Sequence, residues 1–469
     1  MDHTKILATF GPAIGTPALV RRAVNAGATG FRVNCSHGTT SDFSRAVQTI
    51  RKGCDRSKYP IALLFDISGP KLRLARFDGE IRVRAGALLT LTSEKTDLPR
   101  LVIGVNHPAI IKSLSRKHRL YIDDGALEFE VVSTSRGRVT IRARNDGLVL
   151  PGKGINLPDS RIKIPTIGPK DRRDIATAVR LGADYLALSF VRTADDIKTA
   201  RSLVRRLGGD QRIIAKLEKR EAIDRLDEIL AAADGVMIAR GDLGVELPSR
   251  ELPQIQKRII REAGRMGKLV IVATQMLESM RFSPRPTRAE VNDVASAVFD
   301  YVDVVMLSAE TASGKFPIES VSTMAAVIGA TEKGGLTRHP ESARVMLRTN
   351  DANTIARLVS RASDRDDVKV IFAFTTSGST AHLISDVCPP QPIVALTSDS
   401  RVMHKLSLLR SVYPVQVRHA RTFEGMLAIV NRVCSSYKLA RSGEKVIITG
   451  GAPFGSTVPT NFLMIHKVA

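Results

Sequence analysis

Short apolar runs alternate with amphipathic helical segments over residues 1–335, and this rhythm limits the possible folds more than any other feature. Eight such runs occur, in the order KILATFG, GFRVN, IALLFDI, YLALSF, RIIAKLE, GVMIARGD, LVIVAT and VDVVMLS. They are apolar on both faces, as parallel strands are when helices cover both sides of their sheet. Eight consecutive strand and helix units therefore predict an α/β fold, a (β/α)8 TIM barrel rather than an open sheet.

A β-rich segment interrupts the barrel after its third strand. It is rich in Gly, Val, Thr and Arg, has period-two stretches such as GRVTIRAR, and carries the turn signals DDG, NDG and PGKG. Beyond the barrel, the runs KVIFAF, PIVALTS, YPVQVR and EKVIITG predict a second sheet. The predicted domains are the barrel at 1–70 and 166–338, an inserted small β-barrel-like lid at 71–165, and a C-terminal open α/β domain at 339–469.

The charge of the chain raises the question of an anionic partner. The 469 residues include 70 Lys and Arg against 47 Asp and Glu, which gives a formal net charge of +23. Nucleic acid would be the first candidate, but the excess is spread along the whole chain and aromatic residues make up only 4%. We therefore predict no nucleic-acid partner and keep a basic RNA-binding protein as an alternative.

The sequence also argues against membrane insertion and secretion. No apolar run approaches the roughly 18 residues that a membrane span needs, and the first residues, MDHTK, lack the layout of a signal peptide. Four cysteines without C-x-x-C spacing predict reduced, mostly buried thiols. We expect a cytoplasmic protein with no membrane contact.

Polar residues follow the predicted barrel strands, where the active site of this fold lies. They are Arg32, Asn34, Ser36, His37, Asp66, Lys216, Glu218, Arg240, Asp242, Thr274, Ser308 and Glu310. Any one of them could simply cap a loop between a strand and a helix. Cations and carboxylates at the ends of five or more strands are harder to explain in that way, so the pattern predicts a functional site at the barrel mouth.

Lys216 and Glu218 form the most informative pair. Alternation along their strand sends both side chains to one face and Leu217 to the other, so both can point into the barrel mouth. They could form a plain ion pair. Alternatively, Glu218 and Asp242 could bind a hard cation such as Mg²⁺, while Lys216 and Arg32 neutralise a transferring phosphoryl group. The spacing leaves both interpretations open.

Ten segments resemble the motifs of the pyruvate kinase family, in the family's order along the barrel and the insert. They are TKILATFGPA, FRVNCSHGT, DISGPKLR, YIDDG, GKGINLP, AKLEKREAI, IARGDLGVEL, ATQMLESM, PRPTRAEVNDVA and MLSAETASGKFP. The resemblance implies a glycolytic enzyme, dependent on Mg²⁺ or Mn²⁺, that transfers the phosphoryl group of phosphoenolpyruvate to ADP and protonates the enolate to give pyruvate. It also implies a homotetramer.

The resemblance implies roles for individual positions. The divalent cation would be held by Glu218 and Asp242, and the substrate-binding and catalytic residues would be Arg32, Lys216, Gly241, Asp242 and Thr274. The nucleotide would be bound by Asn34, Cys35, Ser36, His37, Arg73 and Lys153, and a proton-relay region would contain Ser308 and Glu310. From the residues alone, PGKG around Lys153 is more simply a hairpin turn, and His37 could be a loop histidine bonded to backbone.

One departure from the family pattern concerns potassium. Many family members hold K⁺ at the positions of Asn34, Ser36, Asp66 and Ile67, but Lys71 in DISGPKLR stands where potassium-requiring members carry Glu. An ammonium group near that pocket would supply the charge of K⁺ and repel a second cation. We therefore hypothesise activity without added K⁺. The alternative is that Lys71 points to solvent.

The C-terminal domain carries a candidate effector loop between a strand and a helix. Its residues are Thr375, Thr376, Ser377, Gly378, Ser379 and Thr380. Free N–H groups at a helix start favour a phosphate, and the family uses the equivalent loop for effectors, so a sugar phosphate or nucleotide is one interpretation and plain helix capping is the other. For the whole enzyme, the alternative is a barrel lyase or aldolase that stabilises a pyruvate enolate on a metal without nucleotide.

Overall fold

The computed structural model describes residues 1–135, 137–162, 164–334, 350–453 and 458–469. The chain starts with two strand and helix units and a third strand, namely β1 (Lys5–Thr9), α1 (Pro17–Asn25), β2 (Gly30–Asn34), α2 (Thr40–Cys54) and β3 (Ala62–Ile67). Local sequence explains where the helices begin. Thr16 caps α1 by accepting the Leu19 N–H, and Pro17 occupies the first helical position, where its missing N–H costs nothing.

The insert after β3 forms its own small domain of mostly antiparallel strands. Its elements are β4 (Ile81–Val83), β5 (Leu88–Thr92), β6 (Val102–Gly104), α3 (Pro108–Ser113), β7 (Arg119–Ile122), β8 (Leu127–Ser135), β9 (Arg138–Ala143), β10 (Gly147–Val149) and β11 (Ile155–Asn156). Six strands pair in the order β11-β7-β8-β9-β5-β6, and β10 pairs with β4. Alternate residues of β8, such as Phe129 and Val131, are buried in one apolar cluster, as the period-two pattern predicts.

The chain then returns to complete the first domain. The elements are α4 (Pro169–Arg180), β12 (Tyr185–Leu188), α5 (Ala194–Arg206), β13 (Arg212–Leu217), α6 (Arg220–Asp224), α7 (Leu226–Ala232), β14 (Gly235–Ala239), α8 (Arg240–Glu246), α9 (Leu252–Arg265), β15 (Leu269–Ala273), α10 (Arg288–Phe299), β16 (Val304–Leu307), α11 (Ala309–Ala312) and α12 (Pro317–Lys333). Thr287 and Glu290 form the capping box at the start of α10.

Eight parallel strands close into a barrel in the order β1-β16-β15-β14-β13-β12-β3-β2, which confirms the predicted fold class. Large apolar side chains such as Leu64, Tyr185 and Met237 fill the interior, and this cluster continues into the C-terminal domain through residues such as Leu408. A second cluster packs the outside of the barrel against its helices. All eight strands therefore point their carboxyl ends toward one mouth, on the side where the insert emerges.

The C-terminal domain is an open sheet flanked by helices. Its elements are α13 (Asp351–Ser363), β17 (Val368–Phe374), α14 (Ser379–Asp386), β18 (Ile393–Thr397), α15 (Ser400–Leu406), β19 (Val412–Gln416), α16 (Phe423–Tyr437), β20 (Lys445–Gly450) and β21 (Phe462–Lys467), with the strand order β19-β18-β17-β20-β21. Sequence reasoning did not anticipate β21, a half-buried antiparallel edge strand, although its residues 462–465, FLMI, form a short apolar run. The predicted boundary at 338/339 lies outside the described residues. None of the helices that the structure describes is both long and apolar enough to cross a bilayer.

Candidate active site

The barrel mouth brings the predicted strand-end residues together. Arg32 and Asn34 lie on β2, Asp66 on β3 and Lys216 on β13, each at or near the carboxyl end of its strand. The other residues of the set follow directly, with Glu218 after β13, Gly241 and Asp242 in the first turn of α8, Thr274 after β15, and Ser308 and Glu310 after β16. Closure of the barrel, rather than proximity along the chain, places these side chains around one opening.

A buried chain of alternating charges crosses the mouth. The Nε of Arg32 donates to Oδ2 of Asp66 at 2.7 Å, and Lys216 Nζ lies 3.2 Å from the other oxygen of Asp66. Lys216 Nζ also lies 2.8 Å from Oε1 of Glu218. Asp66 and Glu218 are 2% and 1% exposed, so the two cations are held by carboxylates that water does not reach. Two cations are thereby fixed side by side, which suits the binding of a multiply charged anion.

Burial and the neighbouring charges together determine the pKa values of Asp66 and Lys216. Burial alone would raise the pKa of Asp66, but the charges of Lys216 and Arg32 hold that pKa below its usual range. Burial would lower the pKa of Lys216, yet Asp66 and Glu218 raise it above its ordinary value. The lysine is therefore a permanent ammonium group at neutral pH and serves as a fixed positive charge, not as a base.

Two residues that sequence reasoning missed complete this cluster. Ser189, just past β12, accepts a hydrogen bond from Lys216 Nζ at 2.7 Å, and its hydroxyl lies 3.4 Å from Oδ1 of Asp66. The next residue, Phe190, has a left-handed backbone with φ of 56° and donates its N–H to Oε2 of Glu218 at 2.6 Å. The signal was available, since SF follows YLAL and the strand-end rule applies to that run as well.

A second corner of the mouth is built from Gly241 and Thr274. The Thr274 hydroxyl accepts the Gly241 N–H at 2.8 Å and donates to the Ala273 carbonyl at 2.6 Å. Thr274 and Gln275 are consecutive left-handed residues with φ of 69° and 56°, a costly conformation for side chains other than glycine. Such strain is tolerated only where the surroundings enforce it.

Arg240 enforces that conformation. Its guanidinium is 9% exposed and donates to the carbonyls of Thr274, at 2.8 and 3.2 Å, and of Gln275, at 3.3 Å. The opposite side of the group donates to the carboxylate of Asp293 on α10 at 2.7 Å. The strand-end list contained Arg240 without a role, and the structure makes it the clamp of the strained turn.

Glu218 and Asp242 form the carboxylate pair of the mouth. Burial, and then the charge of Glu218, raise the pKa of Asp242 to about 6, while the charge of Lys216 acts in the opposite direction. Within the described residues, no group of three or more His, Cys, Asp or Glu forms a complete metal cage. Two carboxylates are a donor set that a hard divalent cation can use when its other oxygens come from phosphate and water.

Ser308 and Glu310 differ in their hydrogen bonds. Glu310 is fully buried and uses one carboxylate oxygen to accept the Leu277 N–H at 3.1 Å and the other to accept the Ser308 N–H at 2.7 Å. The Ser308 hydroxyl is buried and has no hydrogen-bond partner among the described residues. Glu310 thus braces two loops of the mouth, while Ser308 keeps a free hydroxyl.

The loop after β2 carries the predicted nucleotide residues. Asn34 Oδ1 accepts the Ser36 N–H at 3.0 Å, and His37 is exposed, with no hydrogen bond from its ring to the part of the chain that the structure describes. Slight burial and the charges of Lys71, Arg73 and Lys170 lower the pKa of His37. Three cationic side chains therefore lie near the His37 imidazole.

Cys35 and Lys170 hold the loop after β2 on the side that faces the outer core of the barrel. The Cys35 thiol is fully buried in the barrel's outer core, so this residue offers only its backbone to the mouth. Lys170, at the start of α4, donates to the Cys35 carbonyl and to Asp174 Oδ2, both at 2.5 Å. Sequence reasoning did not single out Lys170, because the contact depends on where α4 packs.

The insert covers one side of the mouth. Arg73 donates from Nη1 to the Gly152 carbonyl at 2.8 Å, and Lys153 Nζ pairs with Asp123 Oδ1 at 2.9 Å. Gly152 has φ of +70°, so PGKG does form a turn. A cleft of about 320 Å³ lies between insert and barrel, lined among others by Lys71, Arg73 and Asp242.

The insert is tied to the barrel at its return strand. Asn156 on β11 donates to Oε1 of the buried Glu246 on α8 at 3.2 Å, and Lys219 Nζ lies 2.5 Å from the same oxygen. Arg192, after β12, donates to the carbonyls of Ile162 and Ile164 where the chain re-enters the barrel. These contacts fix the insert over the β12 to β14 side of the mouth.

Lys71 lies just past β3, where the chain enters the insert, close in sequence to Asp66 and Ile67 of the predicted K⁺ pocket. Lys71 is half-buried, and no carboxylate among the described residues forms an ion pair with it. Burial, and then the charges of Arg73 and Lys216, lower its pKa, while Asp66 and Asp242 act in the opposite direction. The Ile67 carbonyl already accepts the Ser189 N–H at 3.3 Å.

The candidate effector loop lies at the carboxyl end of β17. The Thr375 hydroxyl accepts the Gly378 N–H at 2.9 Å, and Gly378 itself is left-handed with φ of 89°. Thr380 shares a hydrogen bond with Thr460 at 2.8 Å, and the loop residues Thr376, Ser377 and Ser379 are otherwise uncharged hydroxyl groups beside the start of α14. The loop carries no cation of its own.

Comparisons with known proteins agree with this geometry. Residues 1–321 match the family model described as pyruvate kinase, barrel domain, and residues 353–466 match the one described as pyruvate kinase, alpha/beta domain. The chain is 38% identical to a pyruvate kinase of Geobacillus stearothermophilus over 99% of its own length and 80% of that protein's. It is also 38% identical to a pyruvate kinase of Methylorubrum extorquens over 99% of its own length and 97% of the relative's. A protein of Synechocystis named pyruvate kinase 2 is 36% identical over 99% of this chain and 79% of its own.

Proposed function

The chain belongs to the pyruvate kinase family and is a phosphotransferase, and we propose that it works with a divalent cation at Glu218 and Asp242 and without a requirement for K⁺. The reaction is the transfer of the phosphoryl group of phosphoenolpyruvate to ADP, a step of glycolysis. The buried run from Arg32 through Asp66 and Lys216 to Glu218 carries the proposal, because it fixes two cations beside a carboxylate pair. The lyase and RNA-binding alternatives are set aside with the family established.

Phosphoryl transfer is catalysed mainly by positioned charges and needs little covalent catalysis from the protein. The bond between phosphorus and the enol oxygen of phosphoenolpyruvate breaks, and phosphorus bonds to a terminal oxygen of ADP. The enolate left behind takes a proton at its methylene carbon to give pyruvate. Lys216, kept protonated by its two carboxylate neighbours, would face the negative charge of the transferring group and of the enolate. Arg32 would bind the phosphate before transfer.

The remaining residues of the mouth would orient the substrate. The Gly241 and Asp242 backbone and the Thr274 hydroxyl would hold the carboxylate of phosphoenolpyruvate, in the corner that Arg240 keeps rigid. A divalent cation, when bound at Glu218 and Asp242, would neutralise phosphate and enolate oxygens. The free hydroxyl of Ser308 supports a place in the route of the final proton, while Glu310 would brace the loop.

ADP would lie between the loop of Asn34 to His37 and the insert. Arg73 and Lys153 would supply the cations for its phosphates, and both belong to the segments that cover the mouth. A covering domain also excludes water, which protects the transfer from hydrolysis. Lys153 is paired with Asp123, so ADP binding would exchange that carboxylate for a phosphate.

Lys71 supports the absence of a potassium requirement. It is a half-buried ammonium group without a carboxylate partner in the described residues, close enough to Asp66 and Asp242 to feel their charges. A fixed cation would then do the electrostatic work of K⁺.

Assembly, location and regulation complete the proposal. An apolar face at the exposed edge strand β21, with Ile465 42% exposed and Leu358 of the adjoining α13 52% exposed, supports the homotetramer that the resemblance implies. We place the enzyme in the cytoplasm, where glycolysis runs. The loop Thr375–Thr380 is our candidate effector site for a sugar phosphate or a nucleotide, with its N–H groups rather than side-chain cations as donors.

The test is an assay that couples pyruvate formation to NADH oxidation, with phosphoenolpyruvate, ADP and Mg²⁺ supplied and with Lys216→Met as control. We expect ADP-dependent pyruvate formation that Lys216→Met lowers by at least a thousandfold and that chelation of the metal abolishes. The assay is repeated with K⁺ and Na⁺ replaced by tetramethylammonium. A large, saturable loss of rate in that medium would defeat the potassium part of the proposal alone.

A further inference from the structure

The guanidinium of Arg32 is held on two sides by residues of different strands. On one side, Nε donates to Asp66 Oδ2 at 2.7 Å and Nη2 lies 2.6 Å from the same oxygen. On the other side, Nη1 donates to the hydroxyl of Thr9, the last residue of β1, at 3.2 Å. An arginine gripped at both sides presents its remaining hydrogens in one fixed direction.

The Thr9 hydroxyl can only act as a hydrogen-bond acceptor toward Arg32. Its single proton is donated to the Leu307 carbonyl on β16 at 2.8 Å, so its lone pairs are what it can offer to Arg32. Thr9 is 3% exposed, which keeps water from replacing either bond. The hydrogen bond to β16 therefore fixes the direction of the Thr9 lone pairs.

Thr311 on α11 fixes the backbone of Thr9 in turn. Its hydroxyl accepts the Thr9 N–H at 2.9 Å and donates to the Thr9 carbonyl at 3.0 Å, and the side chain is fully buried. These bonds connect β1, β16 and α11 to Arg32 on β2 without any charged group. Removal of the Thr9 hydroxyl would leave Nη1 of a partly buried cation without its acceptor.

We propose that Thr9 is a positioning residue for Arg32, aiming its guanidinium at the substrate phosphate. The inference rests on the proposed function, in which Arg32 binds the phosphate of phosphoenolpyruvate. Thr9 itself touches no substrate. Thr9 keeps the Arg32 side chain ordered before the substrate binds, so that binding does not carry the entropy cost of ordering it.

Binding of phosphoenolpyruvate, measured by calorimetry in the presence of Mg²⁺ and without ADP, tests the proposal on the full-length enzyme. Thr9→Val removes the hydroxyl at nearly constant volume, and we expect it to raise Kd and KM for phosphoenolpyruvate about tenfold while kcat changes by less than about threefold. Thr9→Ser keeps the hydroxyl and should remain within about threefold of wild type. Thr311→Val should weaken binding in the same direction by a smaller factor.

The chain offers a matched control at the other end of β1. The Thr29 hydroxyl accepts the Ile6 N–H and donates to the Ile6 carbonyl, both at 3.1 Å, as Thr311 does for Thr9. Thr29→Val should lower the melting temperature as Thr9→Val does and leave the affinity unchanged. Wild-type affinity in Thr9→Val, or equal weakening in Thr9→Ser or Thr29→Val, overturns the proposal. Arg32→Gln serves to test the premise, since unaltered binding in that variant overturns the phosphate role of Arg32 itself.

Discussion

Arg240→Lys is the substitution that best separates fold from function in this enzyme. The guanidinium donates to the carbonyls of two consecutive left-handed residues, Thr274 and Gln275, and to the carboxylate of Asp293. A lysine keeps the charge and can still pair with Asp293. It lacks the fork that reaches both carbonyls together, so the strained turn loses its clamp.

The size of the effect follows from the bonds that are lost. Hydrogen bonds from a charged donor contribute about 1.5–3 kcal/mol each, and a non-glycine residue in a sparsely populated backbone region costs about 1–3 kcal/mol. Loss of one to two of the clamp's bonds is thus worth about 3 kcal/mol, enough to let the turn relax. Because Thr274 would hold the substrate carboxylate, kcat/KM for phosphoenolpyruvate should fall on the order of a hundredfold.

Steady-state kinetics with each substrate varied in turn provide the assay. The loss should appear for phosphoenolpyruvate, and KM for ADP should stay within about threefold, since the nucleotide loop is on the other side of the mouth. Arg201→Lys is the control, because Arg201 also bridges a carbonyl, that of Ala232 at 2.8 Å, and an aspartate, but on the outer helix α5. Full kcat/KM in Arg240→Lys, or an equal loss in Arg201→Lys, would show that the clamp does not act on the site.

Three further outcomes follow from the structure. Lys71→Glu should cut activity at least tenfold in tetramethylammonium buffer and recover with added K⁺, and an unchanged response to K⁺ would contradict the role of Lys71. Lys153→Met should raise KM for ADP about tenfold without altering the Kd of phosphoenolpyruvate measured by calorimetry, and equal effects on both ligands would place Lys153 elsewhere. Burial raises the pKa of Asp184 to about 7, above its unfolded value, so the folded state binds more protons and loses stability as pH rises from about 4 to 7. Asp184→Asn should therefore gain melting temperature over wild type at pH 8 and match it near pH 4; a gain independent of pH would refute the titration.

Much of the fold and the outline of the site could be predicted from the sequence. Parallel strands buried on both faces must be apolar throughout, so eight such runs predicted the barrel, and the carboxyl ends of those runs predicted Arg32, Lys216 and Glu218. The edge strand β21 was missed although residues 462–465 are apolar, because it pairs antiparallel to β20 and so lies outside the alternation of parallel strands and helices on which the prediction rested.

The tertiary structure decided how the site is held. Thr9, Ser189, Arg240 and Lys170 are polar residues of ordinary local sequence, and their importance lies in partners that are distant along the chain. Sequence spacing predicts the face of a strand on which a side chain lies. Hydrogen bonds between strands, in contrast, depend on the closure of the barrel and the register of its strands. The sequence by itself determined which charges stand at the mouth of the barrel. Only the closed barrel determined which uncharged groups aim them, because a hydroxyl or a carbonyl acts within about 3 Å and carries no pattern along the chain.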